Sequence, residues 1–181
     1  MGKIDKETIR IAAEAGAKAA MDRLDKERAK DRSEKVDRRL HNTRLLLRNY
    51  KLFKKHTENA VFEADQLDES VYDILDMMER NTGVGFVDSI KNSVARTAIL
   101  VRHIEVMLGL YKVYCERSSK PEDARRWRVL EARYLMEDNE VSVQDVAERE
   151  SVAERTIRRD VEDACEHLAA LIFGIDGIKY S

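Results

Sequence analysis

The chain has 181 residues, a formal net charge of −2, one proline and seven glycines; 38% of it is charged, 43% apolar and 6% aromatic. So little proline and glycine excludes a β-sandwich or a βαβ fold, which need turn residues at short intervals. No uninterrupted apolar run approaches the roughly eighteen residues of a membrane span, and the N-terminus lacks a signal-peptide apolar core, so no membrane partner and a cytoplasmic location are expected.

Residues 4 to about 55 read as one long helical pattern without proline. Its first part is rich in alanine, the best helix former (Ala12, Ala13, Ala15, Ala17, Ala19, Ala20). Its second part carries Val36, Leu40, Thr43, Leu47 and Tyr50 at alternating steps of four and three, a coiled-coil-like seam, which Leu46 and Phe53 widen toward a core-facing stripe. A second helix is expected over about 58–80, with Leu67, Val71, Ile74 and Met78 on one face. Asn81-Thr82-Gly83-Val84-Gly85 then reads as an interhelical turn, because no strand and no lysine-bearing glycine motif accompanies it. A third helix is expected over about 86–116, with Phe86, Ile90, Thr97, Leu100, Ile104, Met107, Tyr111 and Tyr114 on its seam. Three antiparallel helices would bury these stripes against one another; self-association is a competing use of the same residues.

Pro121, the single proline, cannot continue a helix and restricts the residue before it. The expected domains are therefore 1–117, helical, and 122–181. In the latter, 122–136 reads as a helix with Trp127, Leu130 and Tyr134 along one face and Arg125, Arg126, Arg128 and Arg133 around it. Ser142-Val143-Gln144-Asp145 fits a capping box. It opens a short helix to about 150 that buries Val143, Val146 and Ala147. After a turn at Ser151-Val152, a longer helix carries Ile157, Val161, Ala164, Leu168 and Leu171 on one stripe. Support helix, short helix, tight turn and second helix make a helix-turn-helix, whose second helix presents its outer face to a major groove about 12 Å wide. Here that face carries Glu154, Arg155, Arg158 and Arg159. The competing reading of these arginines is a solvated face paired with Glu162 and Asp163.

The stretch from Ser142 through Val161 to Leu168, together with the preceding arginine-rich helix, resembles the region-4 helix-turn-helix of sigma-70 factors. The resemblance implies contact with a −35-type promoter element through Glu154, Arg155, Arg158 and Arg159. Two positions depart from the family. Ala153 stands at the usual N-cap, unless Ser151 caps instead, and Glu154 stands where a basic residue is common. Asp37-Arg-Arg-Leu-His-Asn-Thr-Arg-Leu-Leu-Leu-Arg-Asn-Tyr and Tyr111-Lys-Val-Tyr-Cys-Glu-Arg-Ser resemble small phage and prophage late transcription activators of the RinA/ArpU type. No tryptophan-bearing run precedes Pro121, unlike the sigma segment that melts promoters, which favours an activator over a complete sigma factor.

The expected fold is thus all-α: an N-terminal long-helix bundle or coiled-coil part, then a three-helix, sigma-70 region 4-like helix-turn-helix domain. The expected function is a DNA-binding transcription regulator, nucleoid-associated, with double-stranded promoter DNA as partner. Gln144, Arg125, Arg126 and Arg128 are candidate phosphate contacts. The N-terminal helices would form a homo-oligomer or contact RNA polymerase. Trp127 and the tyrosines Tyr50, Tyr72, Tyr111 and Tyr114 read as packing residues. The alternatives are a small-terminase-like packaging oligomer and a non-catalytic helical adaptor.

Cys115 and Cys165 lack partners at metal-ligand spacing, and His41, His56, His103 and His167 are scattered, so neither metal nor cofactor is expected. No nucleophile elbow or other enzyme signature appears. The small net charge hides two opposed segments. Residues 18–55 hold fourteen Lys/Arg against six Asp/Glu, and residues 58–88 nine acids against one base. Total charge therefore does not exclude nucleic acid, since binding depends on how charge is distributed over faces.

Overall fold

The computed structural model describes residues 6–57, 70–80, 94–136 and 141–174. Among them every regular element is helical: α1 Lys6–Thr57, α2 Val71–Arg80, α3 Val94–Arg117, α4 Pro121–Leu130, α5 Val143–Arg149 and α6 Glu154–Phe173. The fold is all-α, as composition and periodicity required. The expected turn at Gly83 and Gly85, the seam positions Leu67, Phe86 and Ile90, and the polar break after Met136 lie outside the described residues.

The chain divides into two units, Met1–Asp37 and Arg38–Ser181. In the first, every side chain over residues 14–34 is exposed. Helicity there rests on propensity and on pairs one turn apart, such as Arg10–Glu14 at 3.2 Å and Lys30–Glu34 at 3.9 Å.

The second unit has a continuous core. Leu46, Leu47 and Phe53 of α1 meet Ile74 and Met78 of α2, Leu100, Ile104 and Tyr111 of α3, Trp127 and Leu130 of α4, and Leu168 and Ile172 of α6. Arg39 of α1 pairs with Glu79 of α2, so one base of the positive segment does meet one acid of the negative segment. This core runs across Pro121, joining residues of α1, α2 and α3 to residues of α4 and α6. Pro121 starts α4 at a position that needs no backbone N–H. It redirects the chain without separating the apolar faces on either side.

Helix boundaries follow local chemistry. Of the helix expected over about 58–80, residues 58–69 lie outside the described residues; Ser70 is non-helical and α2 begins at Val71. The Ser70 N–H donates to Asp73 Oδ2 at 3.0 Å and the Asp73 N–H to Ser70 Oγ at 3.3 Å, a reciprocal cap that opens α2. After Leu130 the backbone widens into a π-helical turn, Glu131–Leu135, closed by the Met136 N–H on the Glu131 carbonyl at 3.1 Å.

Trp127, Tyr50 and Tyr111 are buried as expected, whereas Tyr72 and Tyr114 are 73% and 50% exposed and Leu171 is also exposed. On α3 and α6 the neighbouring residues Cys115 and Ile172 are buried instead. Strict seven-residue seams require supercoiling, and these helices instead drift by the ordinary 3.6-residue turn.

Candidate nucleic-acid interface

Ser142 adopts an extended backbone and caps α5. Its N–H donates to Asp145 Oδ2 at 3.1 Å, and the Asp145 N–H donates to Ser142 Oγ at 3.1 Å. The Ser142 hydroxyl, donating to Asp145 Oδ2 at 2.7 Å, and then the Ser142 N–H hold the Asp145 carboxyl below its ordinary range. The end of α5 is equally defined. The Ser151 N–H donates to the Glu148 carbonyl at 3.2 Å and the Val152 N–H to the Ala147 carbonyl at 3.0 Å, with Ser151 at φ 55°. This is a Schellman stop, with serine at the left-handed position that usually takes glycine. Ala147 and Val152 belong to one small apolar cluster with Val129, Ala132, Val146 and Ile157. The contact between the residue past the cap and the last helical turn completes that motif.

The tight turn delivers the chain to α6. Ala153 is its N-cap with φ −70° and ψ 147°, and no side chain caps it; Ser151 is committed to the turn and does not substitute. Ile157 is fully buried, and Ala164, Cys165 and Leu168 continue its inner face. Glu154, Arg155, Arg158 and Arg159 are exposed on the outer face. Arg158 donates to Glu154 at 2.9 Å. Arg155 and Arg159 have no ion-pair partner among the described residues. The expected partners Glu162 and Asp163 are drawn elsewhere: Glu162 to Arg44 of α1 at 3.2 Å, Asp163 to Arg126 at 2.6 Å.

The arginines of α4 brace this assembly. Arg125 Nε and Nη2 donate to the two carboxylate oxygens of Asp160 at 2.7 and 3.3 Å. Arg126 reaches Asp123 at 2.6 Å as well as Asp163. Arg128 donates twice to Glu150, at 2.9 and 2.6 Å. The Asp123 carboxyl is held low by the Ser118 hydroxyl, 2.6 Å away, and by Arg126; Arg128 likewise lowers Glu150. Arg125 and Arg126 therefore tie α4 to α6, and Arg128 ties it to the end of α5. Asp123 and Asp160 are nearly inaccessible, whereas Arg128 keeps half its surface in solvent. Gln144 is exposed and donates to Glu148 at 3.0 Å. Of the eight candidate site residues, the structure places Glu154, Arg155, Arg158 and Arg159 together on one exposed face, Gln144 on α5, and the three α4 arginines in interhelical ion pairs.

Sequence reasoning does not single out the acidic partners Asp123, Asp160 and Glu150, and it assigns Asp163 to the arginines of its own helix rather than to Arg126. Asp160 interrupts the apolar inner face of α6 between Ile157 and Ala164, and a carboxylate there signals a buried pair.

The segment Pro121–Phe173 holds fourteen Asp/Glu against eight Arg. Along α1, Arg38, Arg48 and Lys55 are exposed, while Arg39, Arg44 and Lys54 are paired with Glu79, Glu162 and Glu105. Among the described residues no helix is long and apolar enough to cross a membrane, and no group of three or more potential metal ligands converges. No family model, curated protein or solved structure matches the chain.

Proposed function

We propose that the chain is a sequence-specific, non-enzymatic DNA-binding transcription regulator, an activator with a sigma-70 region 4-like helix-turn-helix. The observation that carries this reading is the exposed face of Glu154, Arg155, Arg158 and Arg159, set one tight turn after a capped short helix and backed by the buried Ile157. In this reading the N-terminal half of α6 enters the major groove of a promoter. Arg155, Arg158 and Arg159 donate to guanine O6 and N7, and Glu154 accepts from cytosine N4. Arg158 stands ready to exchange Glu154 for a base, because exposed pairs one turn apart contribute little. Gln144 and the free edge of Arg128 approach phosphates. Arg125 and Arg126 act through the scaffold, holding α6 at its angle. The exposed bases of α1 offer a second surface to DNA or RNA polymerase.

Arg158→Ala is expected to weaken specific promoter binding by about 1–3 kcal/mol with helicity unchanged. Unaltered binding would refute the groove assignment. The acid excess of Pro121–Phe173 favours one competing reading, a helical adaptor that binds only protein. Salt titration separates the two, since each neutralised phosphate contributes about −0.9 to the log–log slope.

A further inference from the structure

Helix α3 is apolar on two opposite sides. Its inward side, with Leu100, Ile104, Leu108, Tyr111 and Cys115, fills the core. On the side directly opposite, Val106, Leu110 and Val113 are 53%, 52% and 43% exposed, with Gly109 exposed between them. A surface helix ordinarily turns polar residues away from its core face, so an apolar patch opposite that face is atypical. The outer side of α3 is thus built for a cover that the described residues do not supply.

Gly109 sharpens the point. A Cβ added there would meet nothing within 4 Å, so packing within the chain does not require glycine. Glycine in a helix interior weakens the helix, and what it offers in return is close approach of another backbone.

The charges beside this face identify what approaches. Reading outward from Gly109, Glu105 lies four residues before it and Lys112 three after; Arg102 and Glu116 lie seven before and seven after. Each pair is opposite in sign. A second α3 laid antiparallel about a two-fold axis near Gly109 sets Arg102 opposite Glu116 and Glu105 within one residue of Lys112 of the other copy, twice over. It also stacks Val106 on Val113. A parallel pair would set like charge on like, and flanking charges decide orientation in such seams. Arg102 has no ion-pair partner among the described residues, and Glu116 meets Lys112 only at 3.9 Å. Glu105 also receives Tyr50 and Lys54, at 3.0 and 3.5 Å, which leaves it on the seam's flank.

We infer that the outer face of α3, centred on Gly109, is a two-fold interface with a second copy of this chain, the α3 helices crossing antiparallel. The contact is isologous and therefore closes as a dimer. A contact confined to one helix of each copy falls at the low end of interface sizes, so the dimer is reversible. The inference is independent of any DNA contact, and so is its test.

Sedimentation velocity of the full chain without DNA, over a wide concentration range, should show a reversible monomer–dimer equilibrium. Arg102→Glu and Glu116→Arg should each weaken the dimer by about tenfold. The two together should restore it, because every cross-pair is again opposite in sign. Gly109→Leu should abolish the dimer while leaving the monomer's circular dichroism unchanged. A monomer at every concentration would overturn the inference. So would a dimer indifferent to these substitutions, or a double swap that fails to recover.

Discussion

Asp160 is the carboxylate on which the orientation of α6 depends. It is 3% exposed and accepts from both Arg125 donors, with Arg126 Nε at 3.8 Å. Asp160→Ala would leave two guanidinium groups, 21% and 22% exposed, without their shared anion. Breaking a buried pair from one side costs about 3–5 kcal/mol, and the partial exposure of the arginines places this case near 3 kcal/mol, since water rehydrates part of each charge. Asp160→Asn keeps an acceptor and should cost about half as much. Replacing both Arg125 and Asp160 by leucine should recover most of the loss, because a well-packed apolar pair avoids the desolvation penalty. Urea denaturation followed by circular dichroism, run as a double-mutant cycle, measures all three. A loss below about 0.5 kcal/mol for Asp160→Ala, the scale of an ordinary surface substitution, would refute the view that this pair braces α4 against α6.

Three further outcomes follow from the same geometry. Ser151→Gly should raise stability by about 1 kcal/mol, because glycine adopts φ 55° without steric cost, and Ala153→Ser should add a similar amount by capping α6; unchanged thermal midpoints would count against the turn as described. Asp123 and Glu150 have lowered folded pKa values, so their stabilisation is complete above the unfolded carboxylate range and is lost as pH falls below about 4. An Asp123→Asn, Glu150→Gln variant should lose less stability than wild type on acidification, and equal losses would contradict this. Burial pushes the Cys165 thiol up to about 11, and burial also raises Cys115. Both should resist thiol reagents at neutral pH until the chain is unfolded in denaturant, and rapid labelling of the native protein would show that α6 is not seated as described.

Local devices were legible in the sequence, and long-range pairings were not. The Ser142–Asp145 cap and the break at Pro121 each depend on a few adjacent residues, so a one-dimensional reading captured them. The Ser70–Asp73 cap is equally local, but the apolar periodicity on either side hides it. The arginines of α4 showed what was hidden. Their partners lie 35 residues away for Arg125, 37 for the Asp163 contact of Arg126 and 22 for Arg128. An arginine on a helix surface looks the same whether it faces a phosphate or a carboxylate from another helix. Tyr114 and Leu171 were misplaced for a different reason: a seven-residue seam and a 3.6-residue helix diverge by about 20° per heptad. Over two or three heptads that shift turns Cys115 and Ile172 inward instead. The acid balance of Pro121–Phe173 was present in the sequence, yet only the folded positions separate engaged arginines from available ones.

On the proposed reading, the outer face of α6 binds DNA. Quantitative footprinting on DNA carrying candidate promoters, titrated with salt, tests it most directly when wild type is compared with an Arg155→Ala, Arg158→Ala, Arg159→Ala variant. A protected site is expected in wild type, with affinity that falls steeply with salt, and that site should be lost in the variant while its helical spectrum stays intact. Equal protection by both proteins, or no salt-dependent binding by wild type, would contradict it.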